Sequence, residues 1–330
     1  MRKLLLFLPL FLFSFPADSQ IQLANPVNVK IYNNKRLKKK AKRKKAIFEA
    51  YIPFDLKGGL IFLTAHMTGD LDSFVLDTGA PSLLLNRIVH VDSSDAYAAD
   101  ITGNLRLQNV VIPDFRIGHV VNERVDAYCL DLSHLEANKD SKVAGMIGYE
   151  QIKNHEVFLD YDKEQMLLID NDRGIYPETI KPTGYIPFTM QKHFVVVVAN
   201  IGGKKLRFGI DTGAEVNLLS KKAYEKLSAN FNFEKKDSIK IRGVKEKTLN
   251  AQQLTIASTI IKRKNYTDMP YVVMDMESMN SIYGIKLDGI LGYPFLGSQK
   301  FSINYEDKVM YIWKEVSPAP RDEDVLAIGR

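Results

Sequence analysis

The feature that most constrains this chain is an internal repeat. Tyr51-Ile52-Pro53-Phe54 returns as Tyr185-Ile186-Pro187-Phe188. Phe74-Val75-Leu76-Asp77-Thr78-Gly79-Ala80 returns as Phe208-Gly209-Ile210-Asp211-Thr212-Gly213-Ala214, at the same offset of 134 residues. Further on, Gly145-Met146-Ile147-Gly148-Tyr149 matches Gly289-Ile290-Leu291-Gly292-Tyr293, and Asp160-Tyr161-Asp162 matches Asn304-Tyr305-Glu306, both at an offset of 144. Four blocks in one order at two consistent offsets mark a duplication. The chain therefore folds as two related lobes rather than as one large core.

Each copy reads as β-rich. Leu60–His66 and Phe194–Ile201 are apolar, β-branched runs of strand length. Phe74–Leu76 and Phe208–Ile210 are short strands that run straight into Asp-Thr-Gly. Lys221–Leu227 is the best helical segment, and a short helical turn is expected after each Gly-Tyr. The expected class is all-β with a few short helices, in two pseudo-symmetric lobes. The lobes span 46–172 and 185–316, joined by a linker at 173–184 whose Gly and Pro residues break regular structure. A tail follows at 317–330.

The start of the chain reads differently. Arg2 and Lys3 precede an apolar stretch from Leu4 to Phe15, and Ala17 and Ser19 are small residues at a cleavage spacing. Residues 1–19 are read as a signal peptide, so the mature chain is expected to be exported, periplasmic or secreted, without stable membrane insertion. The formal charge of +6 comes from this end: nine basic residues lie between Lys35 and Lys45, and residues 46–330 carry a net −5. The segment 20–45 is read as a disordered stretch or a pro-segment. Nucleic-acid binding is not expected, since no aromatic residue is interleaved with the basic run. The single cysteine, Cys129, excludes an intrachain disulfide.

An Asp at the end of a strand, followed by Thr-Gly, places a carboxylate on a tight turn. One such tripeptide is a weak signal; a plain Asx turn explains it. Two copies at equivalent places in a repeat are a strong one. A two-fold arrangement of the lobes would bring Asp77 and Asp211 together in one paired-carboxylate site. Two carboxylates that close cannot both ionise, so they share a proton and can work as acid and base.

These residues resemble the aspartic proteases of the pepsin and retropepsin group. The hallmarks stand twice: Val75-Leu76-Asp77-Thr78-Gly79-Ala80 with Met146-Ile147-Gly148, and Gly209-Ile210-Asp211-Thr212-Gly213-Ala214 with Ile290-Leu291-Gly292. Ala80 and Ala214 follow the retropepsin form, and the chain looks like bacterial exported members that carry both lobes on one chain. The resemblance implies an aspartic endopeptidase with Asp77 and Asp211 as catalytic dyad. Thr78, Gly79, Thr212 and Gly213 would support the dyad, and Gly148 and Gly292 would pack behind it. It also implies flaps, for which Thr102-Gly103 and Arg242-Gly243 are candidates. The expected partner is a protein or peptide substrate, and the expected state is a monomer. The alternative is a two-lobed binding protein with an inactive dyad.

The copies differ after the dyad turns. Pro81-Ser82 follows Ala80, whereas Glu215-Val216 follows Ala214. Glu215 places a third carboxylate close to the dyad; pointing inward it would raise the dyad's apparent pKa, and the expected orientation is toward solvent. No two of the six histidines (His66, His90, His119, His134, His155, His193) form a His-Glu-x-x-His pattern, so no metal and no cofactor are expected.

Overall fold

The computed structural model describes residues 51–86, 95–100, 103–133, 135–136, 142–171, 180–228, 233–235, 238–242 and 248–315, with two short strands at 5–7 and 12–14. The basic segment 20–45 and the tail 317–330 lie outside the described residues. Each lobe is a closed six-stranded barrel. In the first, Leu60–Met67 pairs with Asp70–Leu76, followed by Gly145–Ile147, Leu83–Leu85, Val120–Cys129 and Gly103–Ile117. The last returns to the first through His66↔Arg116 and Met67↔Phe115. The second lobe repeats the ring with Phe194–Ile201, Lys204–Ile210, Gly289–Leu291, Leu218–Ser220, Lys264–Met274 and Thr248–Ile261, closed through Ala199↔Ile261. Closure leaves no open edge, and the alternate residues that face inward fill the interior. Phe74, Phe115 and Leu76 pack inside the first barrel, and Phe208, Ile210 and Tyr271 inside the second.

A third sheet joins the lobes. Its six strands run Ile180–Pro187, Val309–Glu315, Lys300–Asn304, His155–Asp160, Gln165–Asp170 and Ile52–Lys57. The two copies meet where His155–Asp160 pairs antiparallel with Lys300–Asn304. The seam hides a polar group: Glu156 is 1% exposed and accepts hydrogen bonds from Ser302 Oγ at 2.5 Å and Asn304 Nδ2 at 3.0 Å. Trp313 Nε1 donates to the same Ser302 hydroxyl at 2.8 Å. Beside the seam, tyrosines pack across the lobes in matching pairs, Tyr149 with Tyr305 and Tyr161 with Tyr293.

Differences from the sequence reading have local causes. The linker ends early: Ile180–Pro187 is a strand, although Pro182 cannot donate to a ladder. It is tolerated because this strand is at the edge of the sheet, and the register shifts between Pro182 and Gly184. Strands run beyond the apolar cores that marked them, because ladder pairing continues into the polar ends; Asp70–Leu76 and Lys204–Ile210 are examples. Helix Lys221–Ser228 and the turns Tyr149–Ile152 and Tyr293–Leu296 lie where the sequence places them.

Candidate active site

Each Asp-Thr-Gly turn is made by the strand before it and the short strand that returns beside it. Asp70–Leu76 pairs in parallel with Gly145–Ile147, and the Asp77 N–H donates to the Ile147 carbonyl at 2.9 Å. The second lobe does the same with Lys204–Ile210 and Gly289–Leu291, where the Asp211 N–H reaches Leu291 O at 3.1 Å. Once the strand ends, the backbone N–H groups of the turn are free to bond the carboxylate. Gly79 N–H donates to Asp77 Oδ1 at 2.8 Å and Ala80 N–H at 3.1 Å; Gly213 N–H donates to Asp211 Oδ1 at 2.8 Å.

The turns interlock. Thr78 N–H donates to Thr212 Oγ1 and Thr212 N–H to Thr78 Oγ1, both at 3.0 Å. Each hydroxyl then donates to the strand end of the other lobe, Thr212 to Leu76 O at 2.9 Å and Thr78 to Ile210 O at 3.4 Å. Thr78, Thr212, Asp77 and Asp211 are all buried. Gly79 and Gly213 admit the opposite carboxyl. A Cβ on Gly79 would lie 2.6 Å from Asp211 Oδ2, and one on Gly213 would lie 2.5 Å from Asp77 Cγ. Gly148 and Gly292 sit behind the turns, where a Cβ would meet Ser82 O at 2.4 Å and Ala214 O at 2.3 Å respectively.

The structure thus brings Asp77 and Asp211 together at the lobe interface. Burial is the main cause that raises the affinity of both carboxyls for protons. For Asp77 the charge of Asp211 adds to it, while N–H donors of the turns pull both the other way. Asp77 Oδ2 and Asp211 Oδ2 are buried, and the two carboxyls are hydrogen-bond partners of each other. The pair can hold one proton between them and act as a single titrating unit.

The flap candidates fall on hairpins. Asp95–Asp100 pairs with Gly103–Ile117, and Ile239–Arg242 pairs with Thr248–Ile261. Gly103 and Arg242 are strand residues at the ends of these ladders, while Thr102 and Gly243 lie outside the described residues. The strands Leu5–Phe7 and Leu12–Ser14 lie along the edges of these hairpins, against Ile239–Arg242 and Asp95–Asp100. A pocket of about 880 Å³ lined by Arg207, Glu225 and Asp275 contains neither dyad residue.

Two residues near the site differ from or escape the sequence reading. Glu215 is buried at 5% exposure rather than facing solvent, because the whole run Asp211–Ser220 passes through the lobe interior. No motif in the sequence assigns His193 a role. It is buried in the second lobe, its ring tilted against that of Phe194, and its Nε2 lies 2.8 Å from the Gly79 carbonyl of the first lobe. Burial lowers its pKa to about 4, so the ring is neutral and Nε2–H is the donor. The available signal was a break in the repeat: at offset 134 its counterpart is Gly59, whose positive φ of 89° and close approach to the Tyr293 ring exclude a side chain.

Residues 197–295 match the model of the family described as aspartyl protease. No curated protein matches the chain. The matched stretch runs from the first strand of the second barrel through Asp211 to the helical turn after Gly292. The first lobe carries the same ring of strands and the same turn. The two pseudo-symmetric β lobes and this match over part of the second lobe support an aspartyl protease of the retropepsin-like group and a protease-type function in general. Among the described residues, no helix is long and apolar enough to cross a membrane.

Proposed function

We propose that the chain is an active aspartic endopeptidase that hydrolyses peptide bonds with a water held between Asp77 and Asp211. The observation that carries this reading is the interlocked pair of complete turns, with both carboxyls buried, paired and raised in pKa. The ionised member takes a proton from the water as it attacks the scissile carbonyl carbon. The protonated member gives its proton to the carbonyl oxygen. A tetrahedral intermediate forms with no covalent bond to the enzyme, and its collapse delivers a proton to the leaving amine. The Thr78–Thr212 lattice keeps the carboxyls in place through these steps. The hairpins at 95–117 and 239–261 are proposed as flaps over the peptide, and the apolar start of the chain as an export signal, giving a periplasmic or secreted monomer.

The dyad must hold one proton to work, so activity falls as pH rises through its raised upper pKa. Cleavage of a denatured protein between about pH 4 and 7 tests this reading. Asp77→Asn and Asp211→Asn should each abolish cleavage. A native protein that binds a peptide in this range without turning it over would overturn the proposal in favour of a binding protein.

A further inference from the structure

Away from the dyad, the fold gathers three side chains that the sequence scatters. His155 and Asp170 are direct cross-strand partners at the end of the His155–Asp160 and Gln165–Asp170 hairpin. His119 comes from the turn between Gly103–Ile117 and Val120–Cys129, where Gly118 takes a positive φ of 57° and its would-be Cβ meets Ile52 at 2.9 Å. That approach docks the barrel turn against the joining sheet and carries His119 to the hairpin end.

Both imidazoles aim Nε2 at one carboxylate oxygen. His155 Nε2 lies 3.5 Å and His119 Nε2 3.8 Å from Asp170 Oδ1. These gaps exceed an ordinary N–H···O bond of about 2.7–3.2 Å. They are close to the edge of a ligand tetrahedron, which is about 3.4 Å for ligand distances near 2.1 Å. One ligand atom from each of the three lies within 4.8 Å of both others. Among the described residues, His155 Nδ1 is buried without a hydrogen bond, and Nε2 is the ring nitrogen turned to Asp170. The cluster opens on a groove of about 680 Å³ that His155, Asp170 and Asn171 line together with Tyr305 and Glu306 of the other lobe. Asn171 Oδ1 is buried there without a hydrogen bond among the described residues.

We infer that His119, His155 and Asp170 form a binding site for one divalent first-row transition ion of the zinc type. Two imidazoles and one carboxylate select such an ion over magnesium or calcium, which prefer all-oxygen shells. The ion would tie the turn of the first barrel to the joining sheet, well outside the Asp-Thr-Gly turns. This proposal departs from the expectation, drawn from the absence of a local histidine motif, that the chain holds no metal.

The test uses the full chain without a polyhistidine tag, stripped with a chelator and titrated calorimetrically with zinc, with magnesium as control. The expected result is one zinc per chain, a raised melting temperature, and visible coordination bands when cobalt(II) is substituted. His119→Ala, at an exposed turn, should weaken zinc binding at least tenfold while leaving the metal-free melting temperature and peptide cleavage unchanged. His155→Ala and Asp170→Asn should weaken it similarly. No zinc uptake by the parent, or uptake unchanged in His119→Ala, would refute the site and leave the protease reading intact.

Discussion

Replacing His193 by glutamine should make the protein less sensitive to acid. In the folded protein the His193 ring is held neutral by burial, with its pKa lowered to about 4. An unfolded histidine titrates near 6.5. The unfolded chain therefore takes up the proton first, and stability is lost as pH falls from about 6.5 toward 4. Between pH 7.5 and 4.5 that linkage amounts to about 2–3 kcal/mol. Glutamine has no titration in this range and keeps an N–H that can reach the Gly79 carbonyl. Urea unfolding of parent and His193→Gln at both pH values measures the difference directly. Both proteins carry Asp77→Asn, which prevents autolysis and removes the paired titration of the dyad. The parent should lose about 2–3 kcal/mol more than the variant on acidification. Equal losses would refute the placement of a neutral, buried imidazole between the lobes. The dyad works in the opposite sense: its raised carboxyl pKa values contribute stability at acid pH that is lost as pH rises through them.

Three further substitutions probe the interface. Thr212→Val leaves the Thr78 N–H and the Leu76 carbonyl buried without partners, so it should cost about 3 kcal/mol in urea unfolding and lower kcat, with Thr212→Ser restoring both. Gly79→Ala puts a methyl 2.6 Å from Asp211 Oδ2; cleavage should be lost even where circular dichroism shows a folded chain. Glu156→Ala removes the acceptor shared by Ser302 and Asn304 at the seam of the joining sheet and should destabilise the protein by about 3 kcal/mol in the same unfolding assay.

The repeat made the two-lobed fold and the dyad legible because those features are local and doubled. A strand followed by Asp-Thr-Gly is written in consecutive residues, and a second copy at the same offset points to the first. His193 was harder to read, because its importance lies in what it touches. Nothing around it in the chain indicates that its turn reaches the Gly79 carbonyl, 114 residues away. Glu215 misled for a related reason. A carboxylate is normally solvated, but here the backbone carries it through the interior with its neighbours. Pro182 and Gly184 suggested a linker where the chain forms an edge strand, since a local rule cannot tell an edge from a centre.

The amino-acid sequence by itself determined that the chain is two copies of one β-rich lobe, each with a carboxylate on a glycine turn. Periodicity, strand propensity and turn chemistry act over a few residues, so they can be read in order along the chain. Only the tertiary structure decided how the lobes meet: the threonine lattice, the His193 contact, the buried Glu156 at the seam and the convergence of His119, His155 and Asp170. These depend on barrel closure and on pairing across the joining sheet. Such contacts link residues scores of positions apart, and their partners are chosen by packing rather than by neighbours in sequence.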